Sequence, residues 1–87
     1  VIVSPNFKSV APPLTLDLYE ALPYGDPVGA ISAACGLPGL ALPARPSAEG
    51  MPIGIQLIGP FGQDDMLLDL GAAYEAQAPW ADRWPSL

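Results

Sequence analysis

The 87-residue sequence has no histidine, one cysteine and only three basic residues. Without histidine, the Ser/His and Cys/His nucleophile pairs and every His-based metal site are excluded. A lone cysteine forms no internal disulfide. Three Lys/Arg against nine Asp/Glu give a net charge of −6. No basic cluster is left to neutralise phosphates, so neither nucleic acid nor an anionic membrane is an expected partner. No apolar run approaches the roughly 20 residues of a membrane span. The opening Val-Ile-Val carries no initiator Met, basic n-region or long apolar h-region, so no signal peptide is expected and the chain reads as beginning in mid-strand. What is abundant is apolar and conformationally restricted: hydrophobic residues make up 51%, with 12 prolines and 9 glycines. A chain of this size buries only about 60% of the surface it exposes unfolded. So thin a core predicts a piece of something larger rather than an autonomous domain.

Val1 to Ser4 is β-branched and closed by Pro5, which predicts a buried strand. The prolines at 12 and 13 make residues 5–16 a loop. Asp17 to Leu22 has room for one helical turn before Pro23 and Gly25 stop it. Asp26 as N-cap, Pro27 at the first helical position and Gly36 as the left-handed terminator predict a short helix over Pro27–Cys35. Its small residues and the stripe Val28, Ile31, Cys35 predict burial on most sides. Leu37 to Pro43 and Ile53 to Gly59 read as two buried strands joined by a polar hairpin loop and paired antiparallel. In the second, Ile53, Ile55 and Leu57 share one face and Gly54, Gln56 and Ile58 the other, so cover is expected on both sides. Asp64 and Asp65 start a helix on which Met66, Leu67, Leu70, Ala73 and Tyr74 recur up to Pro79. The tail from Trp80 is expected to be irregular and to wrap over a neighbouring surface.

Few residues are candidates for chemistry. Ser4 and Lys8 could in principle pair as nucleophile and base, but Pro5 breaks any helix that would align them, and Lys8 reads as solvated. Cys35 has no basic neighbour in sequence and reads as a buried, inert thiol. Asp64/Asp65 and Asp17/Glu20 read as cap and surface carboxylates. Gln56, polar between apolar neighbours, must find partners or cost about 1–3 kcal/mol. Buried backbone from a missing part of the protein is favoured over substrate as that partner. Gly54 and Gly59 read as places where another element comes close.

Taken together, Gly36-Leu37-Pro38-Gly39-Leu40-Ala41-Leu42-Pro43 followed after a turn by Gly50-Met51-Pro52-Ile53-Gly54-Ile55-Gln56-Leu57-Ile58-Gly59-Pro60 resembles the carboxy-terminal part of the amidase signature family. The flanking pieces follow in the family's order: a strand ending in Ser-Pro at Ser4-Pro5, Ala11-Pro12-Pro13, then Leu67-Leu68, Tyr74-Glu75 and Pro79-Trp80. The resemblance implies an α/β fold, with residues 1–87 as the C-terminal segment of a single larger α/β/α amidase domain built on a mixed, many-stranded central sheet. It implies amide C–N hydrolysis by a Ser nucleophile, a second Ser in a cis peptide and a Lys, all upstream of this segment, so no catalytic residue is carried over. No cofactor or metal is implied. The expected partners are the N-terminal remainder of the same cytoplasmic enzyme and a small-molecule amide, with a homodimer left open. Asp26 stands near the place where amidotransferase A subunits put an acid that contacts the substrate's amino group. As the residue before Pro27, it reads first as a helix N-cap, the favoured of the two roles. Ala33 replaces the Asn common in the family, which leans the reading from tRNA-dependent amidotransferase subunits toward broad amidases. The alternative reading is a non-enzymatic, acidic, Pro-rich interaction module.

Overall fold

The computed structural model describes residues 1–17, 19 and 27–86. Three strands, β1 (Ile2–Pro5), β2 (Gly39–Pro43) and β3 (Gly54–Ile58), and two helices, α1 (Pro27–Cys35) and α2 (Asp64–Gln77), run in the order β1-α1-β2-β3-α2. The sheet order is β1-β3-β2, and both pairings are antiparallel. β3 is therefore the central strand, with Leu40 opposite Leu57 and Leu42 opposite Ile55 on one side and Val3 opposite Leu57 on the other. The expected β2–β3 hairpin is present. Its polar loop is closed by Ala44 N–H donating to Ile53 O at 2.8 Å and Gly50 N–H donating to Ser47 O at 2.9 Å, with Gly50 at φ 82°.

α2 covers one face of the sheet. Leu42, Leu57 and Leu67 are buried there, with Leu40, Ile55, Met66, Tyr74 and Trp80 packed around them. The helix begins at Asp64 with both acids in its first turn, where the positive end of the helix dipole favours them. Its buried stripe differs from the expected one. Leu67 and Gly71 are buried, whereas Leu70 and Ala73 are exposed. The stripe runs through a glycine because Leu40 fills the space above it: a Cβ on Gly71 would lie 2.7 Å from Leu40 Cδ2. Tyr74 then anchors the helix, donating from its hydroxyl to Pro43 O at 2.9 Å and stacking on Trp80 with ring centroids 5.8 Å apart.

On the opposite face Gln56 and Ile58 are buried, as the alternation predicts. α1 meets this face at its Gly39 corner, where Ser32 Oγ lies 3.4 Å from the position of a Cβ. Gly36, at φ 63°, ends the helix in the left-handed conformation read from the sequence. The rest of α1 corrects the expectation of burial on most sides. Among its residues whose side chains are described, Ala30, Ile31, Ala33, Ala34 and Cys35 are exposed and Gly29 and Ser32 half-buried, because the small Ser32 side chain makes the approach to the sheet. Cys35 is a free, exposed thiol rather than a buried one. β1 is likewise not buried: Ile2 is 57% and Val3 65% exposed. It is an edge strand, and α2 lies over β2 instead.

The accessible surface is 6664 Å² and the radius of gyration 14.6 Å. A compact chain of this mass would show about 4,900 Å² and about 12 Å. The sheet is thus open at both edges, and apolar surface on β1, Leu68 and Phe61 stays bare. Among the described residues no helix is long and apolar enough to cross a membrane.

Candidate functional site

Ser4 and Lys8 do not assemble into a nucleophile and its base. Lys8 is exposed in the loop after β1, while the Ser4 hydroxyl points into the sheet face and has no hydrogen-bond partner among the described residues. Asp26, the candidate substrate contact and N-cap, lies outside the described residues. So does most of the expected turn over 17–22, of which the structure shows the Tyr19 N–H donating to Asp17 Oδ1 at 2.9 Å. Among the described residues no three His, Cys, Asp or Glu side chains gather as metal ligands.

Two places do concentrate polar or aromatic groups. The first is a row across the sheet: the register sets Ser4 on β1 and Ala41 on β2 on either side of Gln56 on β3. Directly opposed residues share a face, with Cβ atoms about 5 Å apart. Gln56 is 7% exposed, yet among the described residues its Nε2 has no acceptor, and the Ser4 Oγ next to it has no partner either. The sequence points to Gln56 and, separately, to Ser4 beside Lys8, but nothing in it announces that residue 4 pairs with residue 56. Asn6 closes one end of this face: its N–H donates to Gly54 O at 2.9 Å, and its side chain occupies the place of a Gly54 Cβ. At the other end of β3, Leu67 Cγ would lie 3.1 Å from a Cβ on Gly59. Both glycines therefore sit where another element comes close, as expected.

The second is a cleft of about 540 Å³ between the hairpin loop and the tail, walled by Pro43, Ile53, Trp80, Arg83 and Trp84 among others. The tail wraps over this chain's own hairpin. Arg83 donates from Nη1 to Ala44 O and from Nη2 to Pro79 O, both at 3.4 Å, so the guanidinium ties two segments together. In the hairpin loop, Ser47 Oγ donates to Glu49 Oε2 at 2.9 Å. The backbone hydrogen bond to Glu49, and after it the Ser47 hydroxyl, hold this exposed carboxyl below its ordinary range, with desolvation opposing them slightly.

An open three-stranded sheet with a helix on each face and, among the described residues, no assembled catalytic set is a small α/β unit of a kind found inside larger α/β folds. The A subunit of glutamyl-tRNA(Gln) amidotransferase from Cyanothece sp. strain PCC 7425 is 48% identical over 52 residues, 60% of this chain and 11% of the relative. The same subunit from Microcystis aeruginosa is 37% identical over 94 aligned residues, 99% of this chain and 18% of the relative. The 6-aminohexanoate-cyclic-dimer hydrolase of Paenarthrobacter ureafaciens is 42% identical over 52 residues, 60% of this chain and 10% of the relative. The chain is homologous to the amidase signature family, matching part of its members rather than the whole. It spans between a tenth and a fifth of the length of these relatives. No family model matches the chain. No solved structure matches it. Amidotransferase subunits and a hydrolase stand side by side among the relatives.

Proposed function

We propose that this chain is the C-terminal segment of an amide-bond hydrolase of the amidase signature family, contributing sheet strands and covering helices to an α/β/α domain whose catalytic groups lie upstream. The observation that carries this reading is the alignment of 99% of the chain with a stretch amounting to 18% of an amidase-signature relative. The bare edges of the sheet and the surplus of surface over a compact chain support it.

In the complete enzyme a serine hydroxyl attacks the amide carbonyl carbon, and its proton passes through the second serine and the lysine to the departing amine as the C–N bond breaks. Water then hydrolyses the serine ester, releasing the acid and restoring the hydroxyl. Backbone N–H groups of a Gly/Ser-rich loop hold the oxyanion. This segment's own candidate for substrate contact is Asp26, an acid suited by charge to a substrate's amino group. The substrate is a small-molecule amide, and the enzyme works in the cytoplasm.

The test is hydrolysis of a chromogenic anilide. The complete protein cleaves it, residues 1–87 alone do not, and adding the upstream part restores activity. Activity of the segment alone that is abolished by Ser4→Ala or Lys8→Ala overturns the reading. An upstream sequence with no Gly/Ser-rich stretch and no lysine before it favours the interaction module instead.

A further inference from the structure

We infer that Ser4 and Gln56 form one hydrogen-bonding station on the α1 face of the sheet, built to receive a main-chain carbonyl from the rest of the protein. The inference rests on the reading of this chain as a segment of a larger enzyme.

The two residues are direct cross-strand neighbours, and the Ser4 Oγ and the Gln56 Nε2 are both buried without a partner among the described residues. A buried carboxamide N–H2 without an acceptor is unfavourable, and two such groups in one row compound the cost. Both can donate, so the missing chemistry is an acceptor, and a backbone carbonyl with two lone pairs can accept from both. The third residue of the row supplies the approach: Ala41, on the far side of Gln56, is small and exposed. An extended segment entering over Ala41 and crossing Gln56 toward β1 sets one carbonyl between the Ser4 hydroxyl and the carboxamide, which stays on the Ser4 side. Both atoms are buried within this chain itself, so an acceptor reaches them only when the side chains over them shift, a one-time rearrangement on assembly that suits a tethered chain segment better than a freely exchanging substrate. Ser4 and Gln56 are then positioning residues that fasten this sheet to its covering layer.

The sign of a stability change tests this in the complete, substrate-free protein. If the station is filled, Gln56→Met and Ser4→Ala each remove one of the carbonyl's two donors and lower the Tm by about 2 °C or more. The double variant then falls by more than the two single effects together, since only there is the buried carbonyl left without any donor. Ser4→Thr, which keeps the hydroxyl, holds the Tm, and kcat/KM well below the transition is unchanged. If the two groups stay orphaned, deleting either removes an unsatisfied polar atom, so the Tm stays level or rises, which overturns the inference. An unchanged Tm with a tenfold loss of kcat/KM makes the station a substrate contact and overturns it as well. The thermal measurements need no amide hydrolysis, so they decide the station even if the complete protein proves not to be an amidase.

Discussion

Gly71 of α2 and Leu40 of β2 occupy a single packing position, since a Cβ on the glycine would lie 2.7 Å from Leu40 Cδ2. The helix lies on the strand because one partner has no side chain and the other fills the vacancy. Gly71→Ala removes a helix-interior glycine, worth about 1 kcal/mol in propensity, but forces Leu40 off its rotamer, at a cost of about 1–3 kcal/mol. A net loss of about 1 kcal/mol is expected in denaturant unfolding of the complete protein. Leu40→Ala should abolish the penalty, so that Gly71→Ala becomes stabilising in that background. A gain from Gly71→Ala alone would mean that Leu40 swings aside freely.

Tyr74→Phe tests the anchor at the other end of the helix. The substitution keeps the ring on Trp80 and deletes only the hydroxyl that donates to Pro43 O at 2.9 Å. A loss of about 0.5–1.5 kcal/mol is expected, with the Trp80 emission maximum unmoved. A red shift would show that the hydroxyl also seats the ring.

The hairpin loop carries a pH dependence of known sign. Glu49 has a lowered folded-state pKa, so its contribution is present above the unfolded value and lost as pH falls through the folded one. Ser47→Ala removes the second of the two hydrogen-bonding causes and leaves the backbone one. The Glu49 carboxyl carbon, followed by NMR in the complete protein, should titrate at a higher pH in the variant than in the parent, yet still below the ordinary carboxylate range. No upward movement would mean that the backbone bond acts alone.

Residues 1–87 in isolation are expected to show no cooperative urea transition. Leu42, Leu57, Ile58 and Leu67 are the buried apolar residues described, a core too small to offset the ordering of the chain. Circular dichroism against urea checks it. A sigmoidal transition with a slope near 1 kcal/mol/M or more would show that the segment folds unaided.

What was legible in the sequence was local. Pro27, Gly36, Asp64 and the polar stretch between Pro43 and Ile53 punctuate the chain strongly enough to place both helices and the hairpin, because capping and turn chemistry act over a few residues. Faces that depend on remote partners were not legible. Cys35 and Ile31 look like a buried stripe, yet they face outward, since the sheet meets α1 through Ser32. Gly71 looks like a weak point in α2 until Leu40 is seen above it. Ser4 drew notice only beside Lys8, its neighbour along the chain, whereas its partner in space is Gln56, 52 positions away.

Asp26 stands immediately before α1, and its two roles respond differently to one substitution. Asp26→Asn keeps an equally good N-cap, so thermal stability should move by well under the equivalent of about 1 kcal/mol. It removes a negative charge, so a charge-assisted hydrogen bond to a substrate amine should be lost, costing about tenfold in kcat/KM on amino-bearing amides. Neutral amides should be spared, because they offer no cation for the carboxylate to meet. Unchanged kinetics on both substrate classes would reduce Asp26 to a cap. Equal loss on both, at unchanged stability, would fit neither role and would place the residue against the catalytic groups instead.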